Sequence, residues 1–159
     1  MPAQLSPTMP RVMSLGDVTR DIFFQYSVTI TFGIAGTENF TPVIPIQNDA
    51  DFICVQTMNS NSAEIGVAAA NVGFSYINVL HGGALVQFID GSSQRFLQNI
   101  QVPLNSVAGS AREPYIWPFT HKFRANGFIG LNVTGIGAAM IAANLRITFG
   151  GFKVPVNGS

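Results

Sequence analysis

The residues able to carry chemistry in this chain are few and widely spaced. His81 and His121 are its two histidines, Cys54 is its one cysteine, and eight Asp and Glu supply its carboxylates. Catalysis needs groups that titrate or polarise, held within reach of each other. His81 precedes Gly82-Gly83, and His121 follows a cluster of aromatics and prolines. Neither stands in an HExxH helix or a Cys/His metal spacing, and no Gly-x-Ser-x-Gly elbow occurs. A two-histidine site completed by Asp90 or Glu113 is geometrically open, but no spacing favours it, and both histidines read more simply as loop residues. Asp49 and Asp51, two apart beside Asn48, could share a face of a turn or ligate Ca²⁺. A solvated Asx turn leading into a strand at Phe52 is the simpler reading. Cys54, inside "DFICVQTM", reads as a small buried hydrophobe rather than a reactive thiol. The expectation is a protein that is not an enzyme and holds no cofactor or metal.

The stretch "REPYIWPFTHKFRANGFIGLNVTG", residues 112 to 135, concentrates what remains. Tyr115 and Trp117 could stack on a sugar ring. Equally, Pro114 and Pro118 could lock Tyr115, Trp117 and Phe119 into the core or a subunit interface, where aromatics gather. The second reading is preferred, with a carbohydrate-binding module as the alternative. Composition points the same way. Charged residues make up only 10% of the 159 residues, against roughly 25% in ordinary soluble proteins. Net charge is zero. A chain packed against copies of itself or a partner needs no charged coat. The eight basic residues are scattered, which argues against a groove for nucleic acid, and no nucleic-acid partner is expected. No apolar run is long enough to span a membrane. The N-terminal "MPAQLSPTMPRVMSLG" has three prolines and no apolar h-region, so no secretory signal is expected.

The elements that must position these residues read as strands. Residues 1–20 form an expected arm, because Pro2, Pro7 and Pro10 forbid a regular helix, while Leu5, Met9, Val12, Met13 and Leu15 give it something to bury against a neighbour. Residues 21–159 form the expected domain. In "DIFFQYSVTITFG" Ile22, Phe24, Tyr26, Val28, Ile30 and Phe32 share one phase, and Gln25, Ser27, Thr29 and Thr31 the other, with Phe23 the sole exception. "NFTPVIPIQ" suits an edge or loop, and "DFICVQTM" a short strand buried on both faces. A polar, small-residue stretch follows from Asn59 to Gly73. Asp90-Gly91-Ser92 marks a hairpin between a strand at about 84–89 and an extended segment from Arg95 to Val102, with glycine expected to take a positive φ. "FIGLNVTG" and "NLRITFGGFKV" alternate as strands, joined by "GIGAAMIAA", a loop or short helix. Short strands, Gly and Pro turns and no amphipathic helix predict an all-β, two-sheet β-sandwich, jelly-roll in connectivity.

Residues 87–154 resemble small jelly-roll virion proteins of tailed bacteriophages, of the cement or decoration type. The resemblance is carried by the Asp90-Gly91 turn, "PLNSVAGSAREPY", "PF", the F-x-A-N of Phe123 to Asn126, and a closing strand ending "GGFKV". It implies a non-enzymatic structural role in the virion, often as a homotrimer, with the major capsid protein or other virion proteins as partners.

Overall fold

A period of two that puts aromatics and β-branched side chains on one face is the pattern of a half-buried strand, and the first element realises it. β1 (Ile22–Thr31) buries Tyr26 and Ile30, half-buries Phe24 and Val28, and exposes Gln25, Ser27, Thr29 and Thr31. Ile22, expected in the inward phase, lies at the strand's start and is 61% exposed, beyond the reach of the core. The computed structural model describes residues 22–61 and 83–156. The proposed arm, with Leu5, Met9, Val12, Met13 and Leu15, lies outside the described residues, as do His81 and residues 62–73 of the small-residue stretch.

The further strands are β2 (Asn39–Phe40), β3 (Val43–Pro45), β4 (Ala50–Asn61), β5 (Ala84–Asp90), β6 (Arg95–Phe96), β7 (Val102–Pro103), β8 (Tyr115–Phe123), β9 (Phe128–Gly135) and β10 (Asn144–Pro155). They form two antiparallel sheets. One has the order β1-β10-β4-β8; the other runs β2-β9-β5-β6, with β3 also on β9 and β7 also on β5. Short 3₁₀ turns at Leu104–Ser106 and Gly137–Met140 stand where helices would, and among the described residues no helix is long and apolar enough to cross a membrane.

The inner faces share one core. Phe88 of β5 meets Phe149 of β10 edge-on at 5.0 Å, and both are fully buried together with Phe52, Phe123, Leu131 and Ile147. Residues 135–143 form the short connection that their composition suggested, and it drives Met140 into this core while Ala142 takes a left-handed φ of 52°. "NFTPVIPIQ" lies at an edge, as its prolines require.

Two expectations need correcting. "DFICVQTM" is not buried on both faces: Phe52 and Cys54 are fully buried, but Ile53 and Val55 are only half-buried, because the strand belongs to an antiparallel sheet with one outer side. The hairpin after β5 exists, yet its glycine serves another purpose. Gln94 takes the left-handed conformation, φ 56°, whereas Gly91 is needed for space, since a Cβ there would lie 2.4 Å from the Phe128 ring.

Candidate functional site

The aromatic-proline cluster falls on β8, an edge strand, and its shape is set by proline. β8 pairs with β4 from Phe123↔Phe52 to His121↔Cys54, then resumes at Ile116↔Gln56. Between these points one residue of β4, Val55, opposes four of β8, Trp117 to Thr120. Pro118 has no N–H to give the ladder, so the strand bulges outward there.

The bulge sorts its side chains sharply. Trp117 turns inward, half-buried, its ring stacked parallel to Phe88 at 6.2 Å. Its Nε1 donates to Thr57 Oγ1 at 3.2 Å, and Thr57, fully buried, donates in turn to the Val107 carbonyl. One face and the N–H of the indole are therefore engaged within the subunit, and Trp117 anchors the bulge. Phe119, two residues on, is 86% exposed, and Ile116 is 62% exposed. Tyr115, half-buried, pairs with Thr57 at the far end of the strand. The three aromatics singled out by sequence thus take different roles, and only Phe119 stands clear of the surface.

His121 closes the bulge and ties the two sheets together. Its Nε2 lies 3.1 Å from Asp90 Oδ2, at the end of β5. Asp90 also accepts from the Ser92 N–H (3.0 Å), Ser92 Oγ (2.6 Å) and Ser93 Oγ (2.9 Å). Burial works to raise its pKa, but these donors outweigh it and hold the carboxyl below its ordinary value. The residue types are those of a hydrolase, yet the wiring is reversed: both serine hydroxyls bond the carboxylate rather than the imidazole, so neither is an activated nucleophile. His121 packs edge-on against Phe123 at 4.7 Å, and the cluster acts as a latch.

The other candidates are likewise drawn into structure. Asp49 pairs with Lys153 Nζ at 3.1 Å, whereas Asp51 accepts from the Ala125 N–H at 2.9 Å and lies 3.5 Å from Lys122 Nζ. The two carboxylates do not converge, and among the described residues no three His, Cys, Asp or Glu side chains gather as metal ligands. Cys54 is fully buried, which pushes its thiol up to about 12. A polar cleft of about 290 Å³ lies between the end of β4 and the 105–113 loop, lined among others by Asn59, Asn105, Ser110 and Glu113. Asn59 spends its amide there on the Ala108 and Gly109 carbonyls, which pins the loop to the strand.

Sequence reasoning missed an apolar row on the outer face of the first sheet. Phe23, Phe152 and Ile53 sit side by side across β1, β10 and β4, and the Phe23 ring meets Phe152 edge-on at 5.7 Å. The signal was present, because Phe23 is the residue that breaks the alternation of its strand. No protein-family model, curated protein or solved structure matches this chain.

Proposed function

We propose that this chain is a non-enzymatic structural subunit of a bacteriophage particle, a jelly-roll β-sandwich that associates as a homotrimer and binds the major capsid protein or another virion protein. The connectivity supports the jelly roll. With β2–β3 and β6–β7 each counted as one interrupted strand, the first strand pairs with the last, the second with the seventh, the third with the sixth, and the fourth with the fifth. That is a long hairpin rolled over a core, an arrangement common in viral shells and lectins. Fold alone argues by analogy, so the site must carry the reading.

The observation that carries it is the bulge of β8. Phe119 and Ile116 project from an edge strand whose bulge is held from beneath by the Trp117–Thr57 and His121–Asp90 contacts. A large apolar side chain held out in one conformation loses little entropy on docking, which suits a protein contact. Trp117 gives this surface its rigidity, and with one face and its N–H engaged it offers a sugar less than the carbohydrate-binding alternative, which also needs Tyr115, supposes. The arm of residues 1–20 adds a second attachment to a neighbouring subunit.

The experiment is a double substitution, Ile116→Ser with Phe119→Ser, read by light scattering and by co-sedimentation with the particle. Both side chains are exposed, so the melting temperature should hold while the trimer and the attachment weaken. A wild-type protein that is monomeric at micromolar concentration, or an assembly indifferent to the double substitution, would refute the proposal.

A further inference from the structure

Edge strands are where a β protein meets other chains, because half of their main-chain N–H and C=O groups have no partner within the sheet. The four edges of this fold are not treated alike. β2 and β3 are two and three residues long, with Pro42 between them and Pro45 at the end. β6 and β7 are two residues each and carry Arg95 and Pro103. β8 is broken by the Pro118 bulge and holds Lys122. Short strands, prolines, bulges and lysines are the devices that keep an edge from pairing. β1 has none of them. Its ten residues, "IFFQYSVTIT", contain no proline, glycine or charge and pair with β10 in an unbroken register.

One hydrogen bond fixes which groups face outward. The Phe32 N–H donates to the Ala143 carbonyl at 2.9 Å, one step beyond the Thr31↔Asn144 pair. In an antiparallel ladder each residue aims its N–H and C=O to the same side, and the side alternates. Ile30, Val28, Tyr26 and Phe24 therefore point their main chain to β10, and Thr31, Thr29, Ser27, Gln25 and Phe23 point theirs to the other side, where no strand among the described residues pairs.

We infer that this edge binds the same edge of a second copy, antiparallel about a two-fold axis near Ser27, so that two four-stranded sheets join into one of eight strands. A partner must repeat the alternation of polar outside and apolar inside, and a copy does so by identity. With no charge on the strand, it meets itself without repulsion in any register. Centred on Ser27, the inner pairs across the axis are Tyr26 with Val28 and Phe24 with Ile30. Aromatic against β-branched is among the favourable cross-strand pairings. Phe24 and Val28 are half-buried in the single chain and so have surface left to cover. This inference stands apart from the capsid reading, and β1 lies on the opposite side of its sheet from β8, so both contacts fit in one assembly.

Native mass measurement of the full chain tests it. An even-numbered species is expected: a dimer, or a hexamer where a three-fold contact also forms. Ser27→Lys and Ser27→Glu each place like charges together at the axis and should raise the dissociation constant by about tenfold or more. Mixing the two variants should restore the pair, which loss of folding would not allow. Thr29→Pro removes an outward N–H without touching the β1–β10 ladder, and should halve the assembly while leaving the melting temperature near that of the wild type. A wild-type monomer or trimer across the micromolar range would overturn the inference. So would charge variants of wild-type mass, or slow amide exchange at Ser27 and Thr29 in a monomer, which would mean that the chain covers this edge itself.

Discussion

Thr57→Val is the sharpest probe of how the β8 bulge is held. The exchange preserves shape and removes one hydroxyl, so it opens no cavity. That hydroxyl, at 0% exposure, donates to the Val107 carbonyl and accepts from Trp117 Nε1. A hydrogen bond contributes about 0.5–1.5 kcal/mol net, and stranding a buried partner costs about 1–3 kcal/mol. Two partners are stranded here, but Val107 and Trp117 are only half-buried and regain some water. The expected loss is about 2 kcal/mol. With a urea slope of about 1–3 kcal/mol/M, the midpoint should fall by about 1 M, and the melting temperature by about 4–8 °C. Equilibrium urea unfolding followed by tryptophan fluorescence reads both the stability and the indole's surroundings. A cycle with Trp117→Phe, followed by circular dichroism because that change removes the chain's one tryptophan, isolates the pair, whose coupling should be about 1 kcal/mol. An unchanged midpoint, or no coupling, would refute the anchoring of Trp117 and return its ring to the list of binding surfaces.

Three further outcomes are expected. Ile30→Ala, at a site 4% exposed, should cost about 2–5 kcal/mol in urea unfolding, and an unchanged midpoint would mean the strand's burial is misread. Because the Asp90 carboxyl is held below its ordinary value in the fold, it stabilises the protein above the carboxylate range, and that contribution is lost as pH falls through the folded pKa. Asp90→Asn should therefore flatten the acid limb of the stability profile below about pH 4, and an unaltered limb would contradict this. Deleting residues 1–16 should leave the melting temperature near that of the wild type but weaken attachment to the particle; unfolding of the domain would place the arm in the core.

What could be read from the sequence was whatever depends on neighbours in the chain. The alternation of β1 and β9, the Asp90 hairpin and the proline-bearing edge are local patterns, and each has its place in the fold. What could not be read depends on a partner from elsewhere. The bulge opposite Val55 arises because Pro118, 63 positions away, cannot give its strand partner a hydrogen bond. Gly91 answers to the ring of Phe128, and His121 to a carboxylate in the other sheet. Lys153 follows the alternation of β10 and is buried, against every expectation from its charge. Its ammonium is met by Asp49 and Gln47 and lies over the Phe24 ring at 4.5 Å.

Several of the few charged side chains are committed to contacts inside the subunit. Asp90 and His121 link the sheets, Lys153 and Asp49 close one end, and Asp51 holds Ala125 and Lys122. Each of these contacts lies within the subunit, while Arg95, Arg112, Glu113, Arg124 and Arg146 stand exposed on its surface. Away from the Phe23–Phe152 row, the outer face of β1 and β10 carries hydroxyls and amides, with Ser27 on Thr148 at 2.9 Å, Thr31 on Asn144 at 2.8 Å, and Arg146 bonded back to Thr29. Its one charge on these two strands is Arg146, so bringing two copies together, or a copy to a partner, incurs little like-charge repulsion. The edge least guarded against association is β1, whose ten residues carry no charge at all. A charge content of 10% is therefore no obstacle to the pairing inferred for that edge, and like charges introduced at Ser27 are what should oppose it.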